Sequence, residues 1–177
     1  MFMDSARREY IAELASAIRD SMNLQSPIDL EGLVSELGGQ ILYQDQLDEN
    51  MEALIQKTAD SFEIILDQNK IHTRQRFSIA HEIGHLFLHM GYLVNPEKWN
   101  TSNEYVDSVY YRFGYNTEES EANEFAASLL MPSNEFREVA YANLHNSEFN
   151  VKPIADYFNV SKEAVVNRGR FLGLFRG

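Results

Sequence analysis

Three residues in the segment HEIGH, His81, Glu82 and His85, carry the types and spacing that could do chemistry. On a helix, residues four apart project from one face about one turn apart, the separation two imidazoles need to share a tetrahedral Zn²⁺. The Glu beside the first His can then reach a water on the metal and take its proton. Phe77, Ile79, Ala80, Ile83, Leu86, Phe87 and Leu88 surround the motif. A helix apolar over that much of its circumference is expected to be buried. Two His and a Glu inside it need partners, and a metal supplies one. Gly84 costs roughly 1 kcal/mol of helix propensity relative to Ala. A position without a side chain there would let another segment approach closely.

A third ligand selects the enzyme class. The pattern HExxHxxGxxH fails, because Leu88 and Gly91 stand where it needs Gly and His. His89 follows His85 by four residues, but on a straight helix it lies about 80° around from His81. It can border the cleft and is poorly aimed as a ligand. The stretch TEESEANEFAASLLMP, residues 117–132, reads as a second helix with Ala122, Phe125, Ala126, Leu129 and Leu130 on its packing side. Glu119 precedes Ala122, Asn123 and Ala126 by three, four and seven residues, on or beside that small-residue face. It is the favoured third ligand. Glu118, Glu121 and Glu124 are expected in solvent, with Glu121 the main rival.

Residues 74–89 (RQRFSIAHEIGHLFLH) followed by 119–132 (ESEANEFAASLLMP) resemble the ImmA/IrrE family of metallo-endopeptidases. That family carries an R-F-[ST]-x-A-H-E-x-G-H block and then E-x-E-A-[ND]-x-F-A-A-x-L-L-M-P. Upstream, SPIDLEGLVSELGG is similar to the family's lead-in helix, so the resemblance covers roughly residues 25–175 in order and spacing. Ser78 stands where Thr is common and Ile83 where Leu is common, and 91–117 has no clear counterpart. The resemblance implies a zincin-like fold, Zn²⁺ as cofactor, His81, His85 and Glu119 as metal ligands, and Glu82 as general base.

Several elements must position these residues. A helix is expected over 4–22, with Ile11, Leu14, Ala15, Ile18 and Met22 on one face. A second is expected near 29–37, capped by Asp29 or Ser26 and stopped by Gly38-Gly39. Three short strands follow near 40–45, 51–57 and 62–67. They predict a small antiparallel sheet packed on the metal helix, with 62–67 as the edge that pairs with an extended substrate. The metal helix is expected over 73–90, capped by Thr73. The stretch 91–117 is long for a connection and carries Tyr92, Tyr105, Tyr110, Tyr111 and Tyr115. Such a loop can be a lid, and a phenol there can stabilise an oxyanion, although aromatic packing is the commoner role of each Tyr. His72, Arg74 and Arg76 read equally as surface or supporting groups.

A helix over 133–145 is followed by VKPIADYFNVSKEAVVNRGRFLG, residues 151–173, which resembles a helix-turn-helix. Ile154, Ala155 and Phe158 would pack its first helix, Asn159-Val160 would turn, and Ser161 would cap a second helix with Val165 and Val166 inward. Lys162, Arg168, Arg170 and Arg176 make this end locally basic. DNA contact is one reading, and a helical subdomain that completes the fold is preferred. The expected architecture is therefore α+β, with a metallopeptidase-like domain over 1–132 and a helix-turn-helix-like subdomain over 133–177 packed on it.

The chain has 177 residues and a formal net charge of −12, from 15 basic and 27 acidic groups. So acidic a surface repels nucleic acid over most of its area. Zero Cys excludes disulfides and thiolate ligands and fits a reducing compartment. No apolar run approaches 18 residues, and MFMDSARREY has no apolar signal core, so a cytoplasmic location without membrane is expected. A metal and a base imply hydrolysis. The resemblance adds a peptide substrate, a partner protein such as a helix-turn-helix repressor or antitoxin of a mobile element or stress response. The alternative is a regulator that binds DNA or sequesters a repressor, with zinc only structural.

Overall fold

The computed structural model describes residues 3–45, 47, 51–59, 61–101 and 117–175. The segment Phe62–Asp67 alternates as a strand must, with Phe62, Ile64 and Leu66 buried on one face. This strand, β3, is central. It pairs in parallel with β1 (Gln40–Gln44) and antiparallel with β2 (Ala53–Lys57), giving the order β1-β3-β2. Two expectations are thereby corrected. The sheet is mixed, not antiparallel throughout, and 62–67 is not an edge, because both rows of its backbone groups are taken. β1 and β2 are the edges. Ile65, on the other face of β3, packs with Leu47 and Met51 in a small separate cluster.

Helix α1 (Ser5–Ser21) buries Ile11, Ala15 and Ile18, and its N-cap Asp4 accepts from the Arg7 amide at 2.7 Å. Helix α2 (Leu30–Glu36) is capped by Asp29, which accepts from the Gly32 amide at 3.0 Å. Gly38, at φ 82°, then turns the chain into β1, a conformation that favours Gly. The metal helix, α3 (His72–Leu88), starts at Ile71 with no side-chain cap, so Thr73 does not cap it. After it come α4 (Pro96–Thr101), α5 (Thr117–Leu130) and α6 (Ser133–Ala142). Helix α6 ends earlier than the sequence suggests, because a two-stranded ribbon follows, β4 (Leu144–His145) against β5 (Glu148–Phe149). Helices α7 (Val151–Phe158) and α8 (Lys162–Phe171) complete the chain, with Asn159 left-handed at the turn and Ser161 capping α8.

The buried face of β3, the inner sides of α1, α3 and α5, and Phe136, Ile154, Phe158 and Val165 from the C-terminal helices form one hydrophobic cluster. The helix-turn-helix-like pair thus shares its core with the sheet and the metal helix. The chain is α+β, with the sheet against one side of α3 and α5 crossing another. Among the described residues no helix is long and apolar enough to cross a membrane. Tyr92 belongs to the packing: its hydroxyl donates to the Leu37 carbonyl at 2.6 Å, and its ring meets Phe62 and Trp99 edge-on. Tyr105, Tyr110, Tyr111, Tyr115 and Arg176 lie outside the described residues.

Candidate metal centre and cleft

Helix α3 is buried along most of its length, as its apolar sequence requires, and His85 is 1% exposed. Its main packing neighbour is α5, and Gly84 sets the approach. A β-carbon at Gly84 would stand 3.1 Å from Ala122 Cα and 3.2 Å from the Ala122 carbonyl oxygen. This close crossing brings Glu119, one turn before Ala122, over His81 and His85. His81 Nε2 and His85 Nε2 are 3.0 Å apart, and the Glu119 carboxylate lies 3.3 Å from the first and 3.2 Å from the second. One ligand atom from each of the three lies within 4.8 Å of the others. Ligands held at roughly 2.0–2.1 Å in a tetrahedron stand roughly 3.3–3.4 Å apart, so the trio is close to the spacing one zinc requires.

The remaining ring nitrogens test whether a metal fits. His81 Nδ1 is 3.0 Å from Asn123 Oδ1, a carbonyl that can only accept, so that nitrogen carries the proton and His81 Nε2 presents a lone pair. His85 Nδ1 is held 2.8 Å from His89 Nδ1. Glu119 Oε1 is buried and makes no well-formed hydrogen bond among the described residues. Lone pairs and a carboxylate thus converge on one point, and a cation there would satisfy all of them. The residues present fit a zinc ion.

Glu121, expected in solvent or as the rival ligand, is buried and turned elsewhere. Its carboxylate accepts from Arg7 Nε at 2.9 Å and Nη2 at 2.5 Å, and lies 3.2 Å from His89 Nε2. Burial alone would raise the Glu121 carboxyl, but the hydrogen bonds from Arg7 and His89 more than offset it and hold it low. Glu124 is also not in solvent: it pairs with Arg168 Nη1 at 3.2 Å. His89 lies behind His85, buried, rather than at the border of the cleft.

A cleft of about 900 Å³ adjoins the candidate metal site. Glu82, 3% exposed, lines it beside His81 and Glu119. The lining also includes Glu52 and Ala53 at the start of β2 and Glu163, Asn167 and Phe171 of α8. Arg74 is tied to Glu52 at 2.7 Å. Arg76 lies outside the cleft, buried, donating from Nε to the Asn159 carbonyl at 3.0 Å, and burial lowers its pKa. Arg168, counted in sequence among basic surface residues, is 3% exposed and ties α8 to α5 and α6 through Glu124, the Met131 carbonyl and Ser133.

A buried His-Glu-x-x-His helix on a small sheet, crossed by a helix that delivers a carboxylate, defines a molecule built like a zinc-dependent peptidase. The sequence matches the Peptidase_M78 family, described as the IrrE N-terminal-like domain, over residues 35–169, and the chain belongs to that family. No curated protein matches the chain. Among solved structures, a Mycobacterium tuberculosis transcriptional regulator has a similar fold, with a TM-score of 0.61 and 16% identity over 90% of this chain. The match covers 46% of that protein, so the chain spans less than half its length, and at this identity the likeness concerns the fold alone.

Asn123, His89, Glu121 and Arg7 support the site without being singled out for that role by the sequence. Asn123 follows Glu119 by four residues and His89 follows His85 by four, so one-turn spacing is the signal for both. Arg7 and Glu121 have no local signal, being separated by 114 positions.

Proposed function

We propose that the chain is a zinc-dependent endopeptidase that cleaves a protein partner, a helix-turn-helix repressor or antitoxin being the expected class. One observation carries the reading: His81 Nε2, His85 Nε2 and the Glu119 carboxylate converge, and His81 and Glu119 line a cleft together with Glu82. Zinc, when bound, supplies a Lewis acid that polarises the scissile carbonyl and acidifies water. His81, His85 and Glu119 would hold it. Glu82, buried beside them, would accept the proton of the attacking water at its carboxylate and pass it to the leaving amine. The substrate would lie in the cleft, between the start of β2 and α8. The net charge of −12 disfavours nucleic acid, as does the burial of Arg168. Residues 133–177 are then a helical subdomain that supplies one wall.

The test incubates the zinc-loaded protein with a helix-turn-helix repressor from the same genome and, separately, with unfolded casein, using Glu82→Gln as control. Cleavage of the repressor at one or a few sites, absent with Glu82→Gln, is expected. Rapid digestion of casein with the repressor intact would replace the reading with a general peptidase. Duplex binding that persists in Glu82→Gln, with no protein cut, would replace it with a DNA-binding regulator.

A further inference from the structure

Behind the candidate metal site a line of polar groups runs from α3 through α5 to α1, and beyond His85 the hydrolytic chemistry does not use it. His85 Nδ1 is 2.8 Å from His89 Nδ1, His89 Nε2 is 3.2 Å from Glu121 Oε2, and Glu121 receives two hydrogen bonds from Arg7. His85, His89 and Glu121 are all buried. Only one assignment of protons satisfies every contact along this line with neutral imidazoles. Arg7 can only donate, so Glu121 is an ionised acceptor. Glu121 then requires a proton on His89 Nε2. A neutral imidazole carries one N–H, so His89 Nδ1 is an acceptor. It accepts from His85 Nδ1–H, which leaves the lone pair of His85 on Nε2, facing His81 and Glu119.

We infer that His89 is a positioning residue for His85: through Glu121 and Arg7 it holds His85 in the Nδ1-protonated tautomer and aims Nε2 at the metal point. Asn123 does the same for His81 in one step, through a carbonyl that can only accept. For His85 the acceptor is itself ambivalent, and the Glu121–Arg7 pair removes the ambiguity. Helix α1 thereby becomes part of the metal site. Partners of this kind behind metal-bound imidazoles are generally worth roughly 10–100-fold in metal affinity.

This inference rests on the zinc site proposed above, and the experiment separates the two. Zinc affinity of the wild-type protein is measured by competition with a chromophoric chelator, and ¹⁵N-histidine spectra are recorded on the zinc-loaded protein. Absence of zinc binding by wild type would remove the metal site itself, and the inference with it. Given binding, the spectra should show His85 protonated on Nδ1 and His89 protonated on Nε2 alone. A proton on His89 Nδ1 would overturn the inference. His89→Leu should weaken zinc binding roughly 10–100-fold. His89→Asn, which places an amide oxygen where His89 has Nδ1, should recover a large part of the loss. If the His89→Leu variant binds zinc as tightly as wild type, or a folded His89→Asn variant binds no better than a folded His89→Leu variant, His89 is reduced to packing. Should His89→Leu not fold, the wild-type spectra decide alone.

Discussion

Gly84 on α3 and Ala122 on α5 stand in contact without a side chain between them, and the Glu119 carboxylate reaches the two histidines because they do. A β-carbon at residue 84 would meet the Ala122 backbone at 3.1 and 3.2 Å and the Phe125 ring at 3.2 Å. The neighbours are backbone and a buried ring, so neither yields easily. Gly84→Ala gains roughly 1 kcal/mol of helix propensity but is expected to cost about 1–3 kcal/mol through overpacking. Because α5 carries Glu119, the shift should also weaken zinc binding. Urea unfolding together with chelator competition checks both, and wild-type zinc affinity in the Gly84→Ala variant would show that the crossing has slack.

The three converging ligands predict one tightly bound zinc per chain. His81→Ala and Glu119→Ala should lose most of it in metal analysis. Glu121→Ala should retain zinc with weakened affinity, since Glu121 contacts His89 rather than the convergence point. Full occupancy in Glu119→Ala with loss in Glu121→Ala would reverse the assignment.

Glu82→Gln should keep zinc and fold while losing hydrolysis. The amide is nearly isosteric but accepts no proton, and general-base assistance is worth roughly 10²–10⁴-fold. Equal cleavage rates for the two proteins, on a verified substrate, would take Glu82 out of the mechanism.

Arg168 joins α8 to α5 and α6 by bonds to Glu124, the Met131 carbonyl, Ser128 and Ser133. Arg168→Met leaves Glu124 without its cation and is expected to destabilise by about 3–5 kcal/mol. Adding Glu124→Met should recover part of that loss. Denaturant curves of both variants are the check; a second substitution that only adds further destabilisation would mean that packing, not the pair, dominates.

Tyr43 predicts a loss of stability in alkali. Tyr43 is 47% exposed, but partial desolvation of its hydroxyl, and then its hydrogen bond to Glu31 at 2.7 Å, raise its pKa to about 12. The unfolded phenol ionises near 10. Below about pH 10 both states hold the proton and the contribution is complete. Between about 10 and 12 the unfolded state releases it first, so stability falls as pH rises. Urea midpoints at pH 9 and 11 should converge in Tyr43→Phe more than in wild type. Identical slopes in the two proteins would exclude this cause.

His81, Glu82 and His85 are readable in the sequence because helical spacing is a local property: four residues make one turn whatever the surroundings. The same holds for the caps Asp29 and Ser161 and for the buried faces of α1, α3 and α7, where apolar residues recur at the helical period. Glu119 is readable as favoured over Glu121, from small residues on its own helix. Family membership follows from the order of these blocks. Strand order is not readable. Alternation in Phe62–Leu66 tells which face is buried but not which strands lie beside it, so a central strand reads as an edge. The fates of Glu121, Glu124, His89 and Arg168 are likewise decided only in three dimensions. An acidic residue on an amphipathic helix looks solvated until another element supplies its partner, and Arg7 and Arg168 arrive from 114 and 44 positions away. The candidate metal ligands are specified within single helices. The groups that orient them depend on how those helices cross, which the packing at Gly84 and the shared core determine.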